Sequence, residues 1–286
     1  MAGAANATAE AGLLKTLSQR HSVLVGIAIL LIIGLAAVFA PLITSFDPAK
    51  LAIADRLKPP SRLHFFGTDE FGRDIFTRVL FAGRVSMTVG VSVAVFSSLF
   101  GVVFGLLAGF FRRLDAPISR IVDAMMAFPD ILLAIALVAA LGGSVFNVII
   151  ALTIVYTPRV ARIVRASTLV IRELTYVEAA RALGVSTWRI LTNHVLRNIV
   201  SPLIVQATFV FAYAMLAEAG LSFLGVGVDP STPTWGTMIN AGRKYVSTAG
   251  WMILFPGVAI TICVLALQIV GDGLRDALDP NLSKEL

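Results

Sequence analysis

The sequence predicts an all-α membrane protein with six transmembrane helices, and three observations predict it. Of the 286 residues, 57% are hydrophobic and only 14% charged, where soluble domains carry roughly 25% charged residues; mean hydropathy is +0.88. The apolar residues gather into runs long enough to cross a hydrocarbon core, which takes about 20 helical residues. The net charge is +6, yet Lys and Arg are scattered over the segments between the runs, as topology signals are and a nucleic-acid footprint is not.

Several chemistries are excluded at once. The single cysteine, Cys263, lies in an apolar run, so neither a disulfide framework nor a cysteine metal site can form within the chain, and no metal site is expected. His21, His64 and His194 are far apart and outside the predicted spans, leaving an intramembrane serine hydrolase without a base. None of the five lysines follows a glycine, so there is no phosphate-binding loop of the G-x-x-x-x-G-K-[ST] type. If ATP drives this protein, another chain binds it.

Residues 1–21 form a small, polar tail with Lys15 and Arg20. The apolar run at 22–43 is too long for a signal-peptide core, and Pro41 after Ala40 is a poor cleavage context, so segment 22–46 reads as an uncleaved first transmembrane helix. Residues 47–84 form an extracellular or periplasmic connector. Pro59 and Pro60 favour extended chain there, a short amphipathic helix is expected at 69–81, and Asp69, Glu70, Arg73 and Asp74 read as surface pairs worth roughly 0.2–0.5 kcal/mol each.

Residues 85–286 supply a five-helix core. In the second span, 85–111, Gly101, Gly105 and Gly109 repeat at the GxxxG spacing that permits close helix packing. The third, 118–141, carries Asp123, one turn from Arg120 and explained equally by a salt bridge to it, and Asp130 directly after Pro129, where it can also receive backbone donors freed at a kink. Carboxylates inside a membrane are costly and default to functional candidates, so Asp130, with Glu218 in the fifth span, is a candidate for a translocation pathway. The fourth span opens at 145–156; Arg159, Arg162 and Arg165 follow on one helical face and can snorkel to the interface or face acidic groups, snorkelling being the favoured expectation. The fifth covers 199–221. The external loop at 222–250, with Phe223, Trp235 and Tyr245 read as interfacial aromatics, is long enough to act as a gate or docking surface. The sixth, 251–270, runs into a tail with Asp272, Arg275, Asp276 and Asp279.

With the amino terminus in the cytoplasm, 14 Lys and Arg fall inside and 9 outside, the sense of the positive-inside rule. Both termini and the loop at 173–197 are then cytoplasmic. That loop contains TYVEAARALGVSTWRILTNHVLR at 175–197. Thr175 and Glu178 stand in capping-box relation, Gly184 ends the first helix, and Ser186 can cap a second whose apolar face includes Ile190, Leu191 and Val195. The pattern is helix, glycine turn, helix: an amphipathic connector lying on the membrane or a docking element.

The stretch EAARALG at 178–184 resembles the EAA signature of the membrane subunits of ATP-binding-cassette importers. FGTDEFGRDIFTRVL (66–80), AGLSFLGVGVDPSTPTWGTMI (219–239) and GDGLRDALDP (271–280) are similar to the dipeptide, oligopeptide and nickel permease branch, specifically its C-type subunit. The resemblance covers nearly the whole chain, and four motifs in the right order make it specific.

It implies the type I importer permease (MetI-like) fold with cytoplasmic coupling helices, in a bacterial plasma (inner) membrane. It also implies a heterodimer with a B-type permease, two ABC ATPase subunits that bind ATP and Mg, and an extracytoplasmic solute-binding protein. This chain would bind no cofactor, no nucleic acid, and catalyse nothing itself. Glu178, Ala179, Ala180, Arg181, Gly184 and Trp188 map onto the ATPase contact. Dipeptides, oligopeptides, nickel chelates and glutathione all remain open as cargo. One departure stands out: family members commonly carry proline where Arg197 stands, so the second coupling helix is expected to run on. The competing reading is an ion-coupled carrier or channel using Asp130 and Glu218 as a proton relay without ATPases.

Overall fold

The computed structural model describes residues 21–278. Most of the amino-terminal tail, with Lys15 and Arg20, and the chain from Asp279 onward, including the end of the last motif, lie outside the described residues. Among the described residues the chain is helical apart from loops and one isolated bridge between Thr68 and Asp74. The helices are α1 (His21–Val38), α2 (Ala40–Ile43), α3 (Ile75–Phe110), α4 (Arg112–Met126), α5 (Asp130–Leu141), α6 (Val145–Ile171), α7 (Thr175–Ala182), α8 (Thr187–Ile190), α9 (Arg197–Phe223), α10 (Trp235–Gly242) and α11 (Trp251–Leu278). Five stretches, α1, α3, α6, Thr187–Phe223 and α11, are long and apolar enough to cross a membrane; α4 and α5 make a sixth only as a pair bent by 92°.

The bundle is built on the contact of α3 with α6. The glycine repeat faces a matching repeat four residues apart: a Cβ on Gly101, Gly105 or Gly109 would lie 2.4, 2.5 or 2.6 Å from the Cβ of Val160, Val164 or Thr168. Only the missing side chains let the two backbones approach this closely, which is the packing device available where lipid removes the hydrophobic driving force. Helix α9 closes the core against α3, α6 and α11, with Val93, Leu152 and Val210 fully buried among them. Helix α1 flanks α11 and α3.

Four expectations are revised here. The amphipathic helix of the connector and the second span are one 36-residue helix, α3, about 54 Å long at 1.5 Å per residue. It starts at Ile75 because Asp74 caps it, its carboxylate accepting from Thr77 N at 2.8 Å. The kink expected at Pro129 is a full break of the third span: Pro129 stands as N-cap of α5, and α4 and α5 meet at 92°.

The connector, finally, is a surface segment only over residues 47–63, which are exposed or half-buried, and turns inward from His64 on. Asp69, Asp74 and Arg78 are at most 5% exposed, with Arg73 Nε donating to Asp69 at 2.6 Å and Arg78 Nη1 donating to Pro48 O at 3.0 Å. Phe66 stacks on Phe255 at 3.8 Å, and Trp251 Nε1 donates to Thr68 O at 3.2 Å. Local periodicity could not show this, since the covering residues come from α11, far along the chain. Trp235 is likewise no interfacial aromatic: it is buried and donates through Nε1 to Val79 O at 3.0 Å.

Candidate coupling surface and polar cleft

At the far end of α3 from this cap, residues 175–197 fold as α7, a turn and α8. The capping box does not form. Leu174 is the N-cap and no side chain caps the helix; Thr175 therefore sits one residue too far in to reach the N3 amide. Glu178 lies in the first turn, exposed, where a carboxylate complements the helix dipole. Gly184 ends the helix at φ +77°, with its N–H donating to Arg181 O at 3.0 Å and Val185 N donating to Ala180 O at 3.0 Å. This is the Schellman arrangement that left-handed glycine permits. Ser186 is the N-cap of α8 by position, without a side-chain bond. From Thr187 the helix runs on through one π-helical stretch, Leu191–Leu196, into α9, so Arg197 lies inside a continuous helical path.

The element has two faces. Val177, Ala180, Ile190 and Val195 are buried in the bundle core. Glu178, Ala179, Arg181, Gly184 and Trp188 face outward, and Arg181 packs its guanidinium 4.9 Å from the Phe110 ring. Of the six residues mapped to the contact, Ala180 alone points into the chain. Leu183, not among the six, is 84% exposed, and Trp188 75%. Its signal was available, since Leu183 stands one helical turn after Ala179 on the same face.

On α6 the three arginines do not snorkel; each meets a carboxylate of the bent pair. Arg159 bonds Asp130. Arg162 Nη2 donates to Asp123 at 2.5 Å, displacing the expected Arg120 as its partner. Arg165 grips Asp115 with two bonds, Nε at 2.5 Å and Nη2 at 3.0 Å. Asp115 and Asp123 lie on α4 and Asp130 opens α5, so both arms of the 92° bend supply partners to arginines three apart on α6. Asp123 and Asp130 straddle the bend, so Arg162 and Arg159 pin both of its arms.

Beside these pairs, between α6 and α9, opens a cleft of about 460 Å³ lined by Arg159, Arg162, Gln206, Phe209, Tyr213 and Met126. It adjoins a second of about 420 Å³ with Ser201 and Arg275, the two sharing Ile163, Gln206 and Phe209. A groove of about 640 Å³ bounded by α3, α4 and α6 is almost wholly apolar, with Phe96, Phe100, Phe104 and Met125 among its walls.

Glu218 lies elsewhere. It has no exposed surface and accepts from Ser86 Oγ at 3.1 Å and Ser222 Oγ at 2.9 Å, while Trp235 N donates to Ser86 Oγ at 3.3 Å. It thus ties α3, α9 and α10 at the capped end. Among the described residues no group of three His, Cys, Asp or Glu could hold a metal ion.

Residues 101–284 match the model of the family described as binding-protein-dependent transport system inner membrane component. The chain belongs to that family. Residues 12–60 match the N-terminal transmembrane domain of oligopeptide transport permease C. A putative peptide transport system permease of Brucella suis is 53% identical over 95% of this chain and 92% of its own length. The dipeptide transport system permease of Alkalihalophilus pseudofirmus is 45% identical over 94% and 88%, and a glutathione transport system permease of Pectobacterium atrosepticum 41% over 94% and 89%. Among solved structures, the inward-facing MetNI methionine ABC transporter matches at TM-score 0.53 and 21% identity, covering 68% of this chain and 95% of that one. The fold is therefore MetI-like, and the chain is a multi-pass permease subunit of an ABC importer.

Proposed function

We propose that this permease is the C-type subunit of a peptide importer, with a B-type permease as its partner in the membrane, two ATPases on the cytoplasmic side and a solute-binding protein outside. The observation that carries the coupling assignment is the outward face of α7 and α8. Leu183 and Trp188, large and apolar, stand exposed on a glycine-turned element whose other face, with Val177, Ala180 and Ile190, is buried in the bundle. Water disfavours such a face, and a protein groove covers it. ATP and Mg belong to the ATPases, since no phosphate loop occurs here. Both termini lie in the cytoplasm on this reading.

The relatives' names support peptides as the cargo. ATP closing the ATPase dimer moves the coupling element as a lever and opens the cavity outward; hydrolysis returns it. Asp130 borders the pathway through Arg159, whereas Glu218, walled in by α3 and α10, holds the outer end rigid. A reconstituted complex of the two permeases, two ATPases and binding protein is expected to take up labelled dipeptide only with ATP and binding protein together. Uptake by the permeases alone would favour the ion-coupled carrier.

A further inference from the structure

We propose that the cleft between α6 and α9 holds a carboxylate station, in which Arg159, Arg162, Gln206 and Tyr213 engage the carboxylate of a peptide-like solute in transit. This rests on the reading of the chain as a peptide permease and assigns it a polar contact point within the membrane.

The cleft's chemistry is one-sided. Its polar lining consists of two guanidinium groups, an amide and a phenol, all of which can donate, and no carboxylate lines it. Asp130 and Asp123 each occupy a single nitrogen, Nη2, of their arginine. A guanidinium carries five N–H donors, so most remain for a ligand. The orientation of Arg159 is fixed: its Cζ lies 5.7 Å from the Tyr156 ring centroid and 5.6 Å from that of Tyr213. Among the described residues, the Gln206 side chain and the Tyr213 hydroxyl make no hydrogen bond within the chain.

Position points the same way. Arg159 and Arg162 lie well inside α6 with side chains 36% and 52% exposed, and charges so placed face water or protein, since lipid contact is costly. The apolar groove lies against α3 and α4, leaving the α6–α9 side as the polar face. Along α9 the lining runs from Ser201 to Tyr213, about 18 Å at 1.5 Å per residue, and Arg275 adds a further exposed cation at the end nearer the coupling element. Because each arginine is already neutralised by its aspartate, a passing carboxylate meets aligned donors without a deep electrostatic trap. Conduction needs this combination: binding strong enough to enter and weak enough to leave.

The test is ATP-driven uptake by the full reconstituted complex of a dipeptide and of its C-terminal amide, each presented at saturating concentration. The readout is the free-acid to amide uptake ratio. Arg162→Gln is expected to lower this ratio roughly tenfold relative to wild type, the scale of one charged hydrogen bond. Arg162→Lys, which keeps charge but loses the fork, should give a smaller drop. Tyr213→Phe, which leaves both ion pairs intact, should lower the ratio by a few-fold. Asp123→Asn, which loosens the bend but leaves the donors in place, should not lower it. An unchanged ratio in both Arg162→Gln and Tyr213→Phe, with wild-type uptake intact, would overturn the station alone. An equal drop in Asp123→Asn would reduce Arg162 to a clamp and overturn it too. Absence of ATP-driven uptake of either peptide by wild type would instead bring down the peptide reading itself, and the station with it.

Discussion

Gly105 of α3 and Val164 of α6 approach so closely that a Cβ on the glycine would lie 2.5 Å from that of the valine and 2.7 Å from Ala161 O. The obstacles are a Cβ, whose place no rotamer changes, and a backbone carbonyl oxygen, so no rotamer change relieves an added side chain. Gly105→Leu should destabilise the purified permease by about 1–3 kcal/mol or more, the range for overpacking. Gly34→Ala, whose new methyl would meet only Met87 Cε at 3.7 Å, should leave thermal unfolding in detergent nearly unmoved. Equal melting of the two variants would refute the packing account.

The buried Glu218 gives a second contrast. Glu218→Gln keeps an acceptor for Ser86 or Ser222, whereas Glu218→Ala leaves both hydroxyls without one and opens a void. Losses of about 1–3 kcal/mol per orphaned buried group are typical, so Ala should melt well below Gln. If uptake by the Gln variant were abolished while its melting stayed wild-type, Glu218 would belong to the transport chemistry instead.

The elbow formed by α4 and α5 is held from α6, and its firmest tie is the two-bond pair of Arg165 with Asp115. Both side chains are about a third exposed, so after allowance for solvent screening the pair is worth at most about 1 kcal/mol. Asp115→Asn should speed hydrogen exchange across residues 112–126 without changing that of α9. Unaltered exchange would show that the apolar side of α4 alone fixes the elbow.

Much of this was legible in the sequence. The apolar runs marked the spans, the glycine repeat marked a close helix contact without naming α6 as its partner, and EAARALG marked the exposed helix–turn–helix element proposed for coupling. What could not be read shares one physical cause: the deciding partner is distant in sequence. Arg159, Arg162 and Arg165 looked like snorkelling residues because the packing of both arms of the bend against α6, which sets Asp115, Asp123 and Asp130 beside them, is a tertiary event. Asp69 looked solvated because residues of α11 and α10 lie far along the chain. Thr175 failed as a cap by one residue, an offset that propensity cannot resolve.

Gly184 offers a test in which shape and strain separate. Its φ is +77° and nothing lies within 4 Å of where a Cβ would stand, so only the left-handed backbone resists substitution, at roughly 1–2 kcal/mol for an ordinary L-residue. Asn visits that region readily and Val does not. Gly184→Asn should therefore retain most substrate-stimulated ATPase activity, and Gly184→Val should lose most of it while still inserting. Equal loss in both would mean that the ATPase groove needs the bare glycine.

The central claim is that the outer face of α7 and α8 passes the work of ATP hydrolysis to this subunit. Substrate-stimulated ATPase activity of the reconstituted complex carrying Leu183→Asp and Trp188→Ala tests it most directly. The account predicts a correctly inserted permease pair that copurifies poorly with its ATPases and shows little or no stimulation. Full stimulation with wild-type ATPase recovery would contradict it.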